Sequence, residues 1–286
     1  MISMTLLMLG NLLNIFGNWV LIYGKLGFPE MGLTGAGIST LVSRILILFL
    51  FVAYIFKSRK MNEYARAIKE ALVSRIEMKG VLKMGYPVGI QMALESSTFT
   101  FAAVMAGWLG GLQLAAHQVV ITISQLFFLM MQGLSFAVSI LVSNAFGRKD
   151  FKSVREYSRK GYFMTLGISA TLSVLLYCFR YQAAGVFSDS PEVTAMAVSL
   201  FFLLFAYQFG LQLCFANVLR GIQDVKPIMY AAFISYYLIA IPSAYLLGFK
   251  ASLGLQGIWM GFPIGLTLAG IFFYARYRAD LRRLSR

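Results

Sequence analysis

Apolar runs long enough to cross a bilayer recur along the chain, separated by short stretches rich in Gly, Pro or charge. They predict helices over 2–24, 33–56, 82–108, 115–145, 158–180, 194–219, 228–249 and 255–275. Stretches such as Ile45 to Phe56 and Val198 to Ala206 are apolar on every side instead of alternating, which argues against a transmembrane β-barrel. The expected fold is all-α and integral to the membrane, with about eight transmembrane helices. The opening segment has neither a basic leader nor a small-residue cleavage site, so it reads as the first helix and not as a signal peptide.

Composition agrees: 59% of residues are hydrophobic and 13% charged, far from the balance of water-soluble domains. The net charge of +14 raises the question of nucleic acid, but its distribution answers it. Lys57, Arg59, Lys60, Arg66, Lys69, Arg75, Lys79 and Lys83 follow the second predicted helix. Arg148, Lys149, Lys152, Arg155, Arg159 and Lys160 follow the fourth, Arg220 and Lys226 the sixth, and Arg276, Arg278, Arg282, Arg283 and Arg286 the eighth. All but four of the 25 basic residues thus fall on one side, which the positive-inside rule assigns to the cytoplasm together with both termini. The partner of this charge is the lipid bilayer of a cell inner (plasma) membrane, and no nucleic acid is expected. Asp189 and Glu192, in an opposite loop, read as solvated, and Cys178 and Cys214, inside apolar runs without metal spacing, as packing residues.

Gly32-Leu33-Thr34-Gly35 opens the second helix, and Gly254-Leu255-Gln256-Gly257 opens the last. If these mark one repeat, the chain is one and a fraction copies of a six-helix unit. The first copy then lacks its first four helices, which would begin about 140 residues before Met1. Repeated bundles with a site at mid-membrane are a recurrent design for alternating access.

Chemistry concentrates on Glu95, isolated in the middle of the third helix. A carboxylate at mid-bilayer costs roughly 2.5 kcal/mol or more, so it is expected to face a bundle interior or a wet cavity. There it could exchange a proton or Na+ for an organic cation. Gln91 and Thr98 share its helical face, and Pro87 is expected to kink the helix below it. Tyr207, Gln208 and Gln212, with Asn217 nearby, form a polar stripe on the sixth helix; Tyr236 and Tyr237 lie on the seventh, where Pro242 would kink the chain. Aromatic and amide groups suit a broad pocket for flat, lipophilic cations, and plain interhelical hydrogen bonding would use the same residues. His117 is either a proton sensor or a packed, hydrogen-bonded core residue. Arg44, within the second helix, could pair with an acid or snorkel. No cofactor is expected, and no metal beyond Na+ at Glu95.

Residues 14–40 (NIFGNWVLIYGKLGFPEMGLTGAGIST) resemble the junction of the fifth and sixth helices in multidrug and toxic compound extrusion (MATE) transporters of the NorM-like group. Pro87 to Glu95, Ala115 to Gln118, Gly147 to Asp150, Leu219 to Gly221 with Asp224 and Pro227, Tyr237 to Pro242 and Gly257 to Trp259 match further family stretches in order. The resemblance implies a twelve-helix, two-lobed (6+6) transporter fold. Residues 1–60 would be the last two helices of the N-terminal lobe, 61–80 a cytoplasmic linker, 81–280 a complete C-terminal lobe and 281–286 a tail. It also implies secondary active efflux of small organic cations or drugs in exchange for Na+ or H+, with Glu95 at the position of a coupling glutamate. Phe209 stands where the family often has a second acid.

With only one lobe complete, the chain alone is expected to be inactive without the missing N-terminal lobe. An alternative, a lipid-linked oligosaccharide flippase, would need several basic residues around its cavity, and apart from the cations already assigned to the cytoplasmic side only Arg44 and Arg180 lie in the predicted membrane segments. An enzyme is not expected: one histidine, one mid-membrane acid and no phosphate-cradling loop leave little to catalyse with.

Overall fold

The computed structural model describes residues 2–58, 61, 66, 75–207 and 211–284. Among these, one unit, Met1–Arg75, holds helices α1 (Ile2–Ile22) and α2 (Gly32–Lys57). The second, Ile76–Arg286, holds α3 (Arg75–Leu109, beginning at the boundary), α4 (Gly111–Gly147), α5 (Phe151–Cys178), the short α6 (Arg180–Gly185), α7 (Pro191–Tyr207), α8 (Leu211–Gly221), α9 (Lys226–Lys250) and α10 (Gly254–Leu284). Most of the expected linker and the stretch between α7 and α8 lie outside the described residues.

Six of these helices, α1, α2, α4, α5, α9 and α10, are long and apolar enough to cross a membrane. The remaining two expected spans differ for physical reasons. α3 has 35 residues, but its membrane stretch is diluted by Gln91, Glu95 and a run of Ser and Thr. The sixth expected span corresponds to α7 and α8, between which residues 208–210 are not described. α5 starts earlier than its hydrophobicity suggests because Asp150 caps it, accepting the Ser153 N–H at 3.1 Å. α10 continues to Leu284 because Arg is a good helix former and suits a helix C-terminus, so residues 281–284 of the expected tail are helical.

The recurring Gly-x-x-Gly builds the same corner in each unit. Gly32 and Gly254 take φ of +53° and +56°, which an L side chain rarely adopts. Three residues on, Gly35 lies so close to the Leu21 carbonyl that a Cβ would stand 2.6 Å from its oxygen; at Gly257 a Cβ would stand 2.5 Å from the Leu247 carbonyl. Each helix thereby packs directly on the backbone of the one before it.

The second unit has two buried clusters. One surrounds Val120, Leu200, Ile258 and Trp259, and the other Val142, Leu219, Ile228 and Phe273. Large apolar side chains such as Leu48, Phe49, Leu129 and Met130 lie on the outside, as a lipid-facing surface requires.

Pro87 lies inside the unbroken α3, while Pro242 begins a short α-helical stretch, Ile241–Tyr245, flanked by wider π-type winding at Phe233–Ala240 and Leu246–Lys250. Pro263 is a further proline inside α10. Cys214 is buried as expected; Cys178 is exposed at the end of α5 and is therefore not a packing residue. Arg44 is exposed on α2, and Asp189 and Glu192 are exposed before and at the start of α7.

Candidate functional site

α3 turns Gln91, Glu95 and Thr98 toward α8 and α9. Gln91 and Thr98 are buried and Glu95 half-buried. Gln91 Nε2 donates to Glu95 Oε2 at 2.8 Å, and Gln212 Nε2, from α8, approaches Glu95 Oε1 at 3.4 Å. Gln212 also donates to the Tyr236 hydroxyl of α9 at 2.8 Å. Glu95 is thus held by two neutral amide donors, one of them anchored in turn on a buried tyrosine.

Arg220 completes the arrangement and was not legible as part of it. Counted by sequence among the loop cations, it lies in the last turn of α8, half-buried, donating to Gln91 Oε1 and, at 3.1 Å, to Asn217 Oδ1. Its guanidinium also acts on the Glu95 carboxyl through space. Its position three residues after Asn217, at i, i+3, was the available signal. Gln91 therefore bridges an acid and a base with opposite ends of one amide.

Next to Glu95 is a small pocket of about 10 Å³ lined by Glu95, Thr98, Phe99, Tyr236, Ala240, Phe262 and Leu266. That is room for roughly one water-sized occupant. Thr98 directs its hydroxyl to the Leu94 carbonyl of its own helix at 2.8 Å. Tyr237 belongs to a separate face: its hydroxyl lies 2.6 Å from that of Ser97, and its ring stacks on Phe233 and meets Phe101 edge-on. Gln208 lies outside the described residues, as does the side chain of Tyr207. His117 of α4 is 1% exposed, with its ring centroid 5.5 Å from that of Trp259 of α10, so it is a packed core residue, but the expected hydrogen bond is not seen at its buried Nδ1 among the described residues.

The MatE family profile matches residues 87–246, more than half of the chain and the stretch that carries this site. The chain belongs to the MatE family. It is 34% identical over 272 residues to the Multidrug resistance protein NorM of Aliivibrio fischeri, a match covering 92% of this chain and 58% of that protein. It is 33% identical over 279 residues to the protein of the same name from Photobacterium profundum, covering 94% and 60%. The chain thus spans about three-fifths of the length of these curated relatives. Among solved structures it resembles a multidrug resistance MATE family transporter in its outward-facing conformation (TM-score 0.86, 21% identity, 99% of this chain and 62% of that one). It also resembles an inward-facing conformation of such a transporter (TM-score 0.74, 20% identity, 99% and 64%). The MatE fold is therefore shared from end to end of the chain.

Proposed function

We propose that this MatE chain is part of a secondary active multidrug efflux antiporter that exports organic cations in exchange for Na+ or H+. In this reading residues 1–60 close an N-terminal lobe, 61–80 link the lobes and 81–280 form the C-terminal lobe, in a cell inner membrane with the basic end in the cytoplasm. The observation that carries it is Glu95, a carboxylate within a membrane helix whose contacts are all reversible hydrogen bonds. The family and the relatives named as multidrug resistance proteins support the cargo class.

Glu95 is the coupling group. While ionised, it accepts from Gln91 on its own helix and from Gln212, tying α3 to α8 and through Tyr236 to α9. A proton or Na+ arriving in the one-water pocket neutralises that charge, weakens its hold on both amides and loosens α3. A ligand shifts a conformational equilibrium only through contacts that differ between states, and this is such a contact. Arg220 keeps Gln91 oriented in either state. The organic cation, too large for the pocket, meets the aromatic face of Tyr237, Phe101 and Phe233.

The test is efflux of a fluorescent organic cation from vesicles containing the full-length protein, under imposed Na+ or proton gradients. Gradient-driven efflux should fall to background in Glu95→Gln. Undiminished efflux in that variant would overturn the coupling role.

A further inference from the structure

Away from Glu95, the first turns of α5 and the last turns of α10 enclose a groove of about 900 Å³, a size typical of ligand sites. Its two ends differ in chemistry. At the outer end stand Lys152, Arg155 and Arg159 of α5 and Arg278 and Arg282 of α10, with Phe151 and Leu281 beside them. Farther along, the lining becomes Tyr162 and Phe163 of α5, Tyr274 and Tyr277 of α10, and Leu211 and Phe215 of α8. No acidic residue lines the groove among the described residues. The carboxylates nearby are engaged elsewhere: Glu156, though within electrostatic reach of Lys152 and Arg159, bonds Lys160 at 2.6 Å, and Asp280 pairs with Arg276 at 3.3 Å.

The aromatic end is a built wall. Phe215 is 3% exposed, and its ring centroid lies 5.0 Å from that of Tyr274, 5.2 Å from Tyr277 and 5.6 Å from Tyr162. Phe163, by contrast, is 61% exposed at the open side. From Lys152 to Phe163 the α5 rise spans about 16 Å, enough for a charged headgroup and the near part of an acyl chain.

From this segregation of charge we infer that the groove is a binding site for an anionic phospholipid. Its phosphate sits among Arg155, Arg159 and Arg278, and its acyl chain runs over Phe163 and Tyr274, which are exposed. A soluble anion would use the cations and leave the aromatic wall idle, whereas a zwitterionic lipid, carrying its own positive group, would gain less from Arg155, Arg159 and Arg278. Basic pockets between helices at a membrane surface suit this class of ligand. The site is independent of the coupling role of Glu95.

The experiment is native mass spectrometry of the full-length protein in neutral detergent, with phosphatidylglycerol or phosphatidylcholine added in equal amount. The wild type should retain phosphatidylglycerol preferentially. In the R155Q/R159Q variant that retention should fall about fivefold for each arginine removed, following the ~1 kcal/mol that each basic group contributes beside anionic lipid. R155K/R159K should keep it, and K79Q/K83Q, which removes the same charge from α3, should leave it unchanged. If the double variant does not fold, R278Q supplies the same readout. Equal retention of the two lipids, an equal loss in K79Q/K83Q, or displacement of phosphatidylglycerol by inorganic phosphate would each overturn the inference.

Discussion

Arg220 reaches Glu95 through one side-chain amide: Gln91 accepts from the guanidinium with its oxygen and donates to the carboxylate with its nitrogen, at 2.8 Å. The acid and the base lie on different helices, so the amide makes the state of one felt by the other. Removing the base leaves the buried Gln91 oxygen without its charged donor, a loss of about 1–3 kcal/mol. Arg220→Gln should lower the thermal unfolding midpoint in detergent accordingly. It should also strengthen apparent binding of the coupling cation, because a competing positive charge is gone, while slowing efflux. Weaker coupling-ion binding in the variant would contradict the arrangement.

The two glycine corners predict matched effects in the two units. Gly35→Ala and Gly257→Ala each place a methyl group under 3 Å from a carbonyl of the preceding helix, and overpacking of this kind costs about 1–3 kcal/mol. Gly37→Ala has nothing within 4 Å and sits in the same helix as Gly35, so it should be neutral or stabilising by up to ~1 kcal/mol. Thermal unfolding of the three variants side by side checks the contrast; equal effects would mean the close approach is absent.

His117 and Trp259 should behave as core. Trp259→Ala is expected to cost about 3–5 kcal/mol, the range for truncating a fully buried aromatic side chain. His117→Gln should reduce stability without moving the pH profile of efflux. A displaced profile with unchanged stability would instead make the histidine a sensor.

Asp150 gives the loop between α4 and α5 a pH dependence at the acid end only. The Ser153 side chain and N–H, hydrogen-bonded to its carboxyl, hold it below the ordinary carboxylate range. A depressed folded value means the cap contributes above the unfolded value near pH 4 and is lost as pH falls through the lower, folded one. Amide exchange at Ser153 and Val154 should therefore accelerate below about pH 4, and Asp150→Asn, which still caps, should abolish that dependence. A constant exchange pattern across this range in the wild type would remove Asp150 as the cap.

The helical class and the apolar exterior were legible because each depends on residues close in sequence. Glu95 is conspicuous against a run that is otherwise uncharged, and Gln91 and Thr98 share its face by helical spacing alone. Gln212 and Tyr236 were identifiable as polar groups in apolar helices, but not as partners of the same carboxylate and of each other. Arg220 was misassigned for an instructive reason. Composition counts a cation near a helix end as a loop charge, and only the packing of α8 against α3 turns it inward onto Gln91. Cys178 failed the other way, since an apolar neighbourhood in sequence does not say which face of α5 is covered.

By itself, then, the sequence determined the helical class, the membrane-compatible surface and the family, because hydrophobic periodicity, glycine and proline placement and ordered motifs act locally. Only the tertiary structure decided which polar groups share a site, that the space beside Glu95 admits one water-sized occupant, and that cations of α5 and α10 line the same aromatic groove. These depend on contacts between residues far apart in the chain, and their distances are set by how helices pack, which no local pattern records.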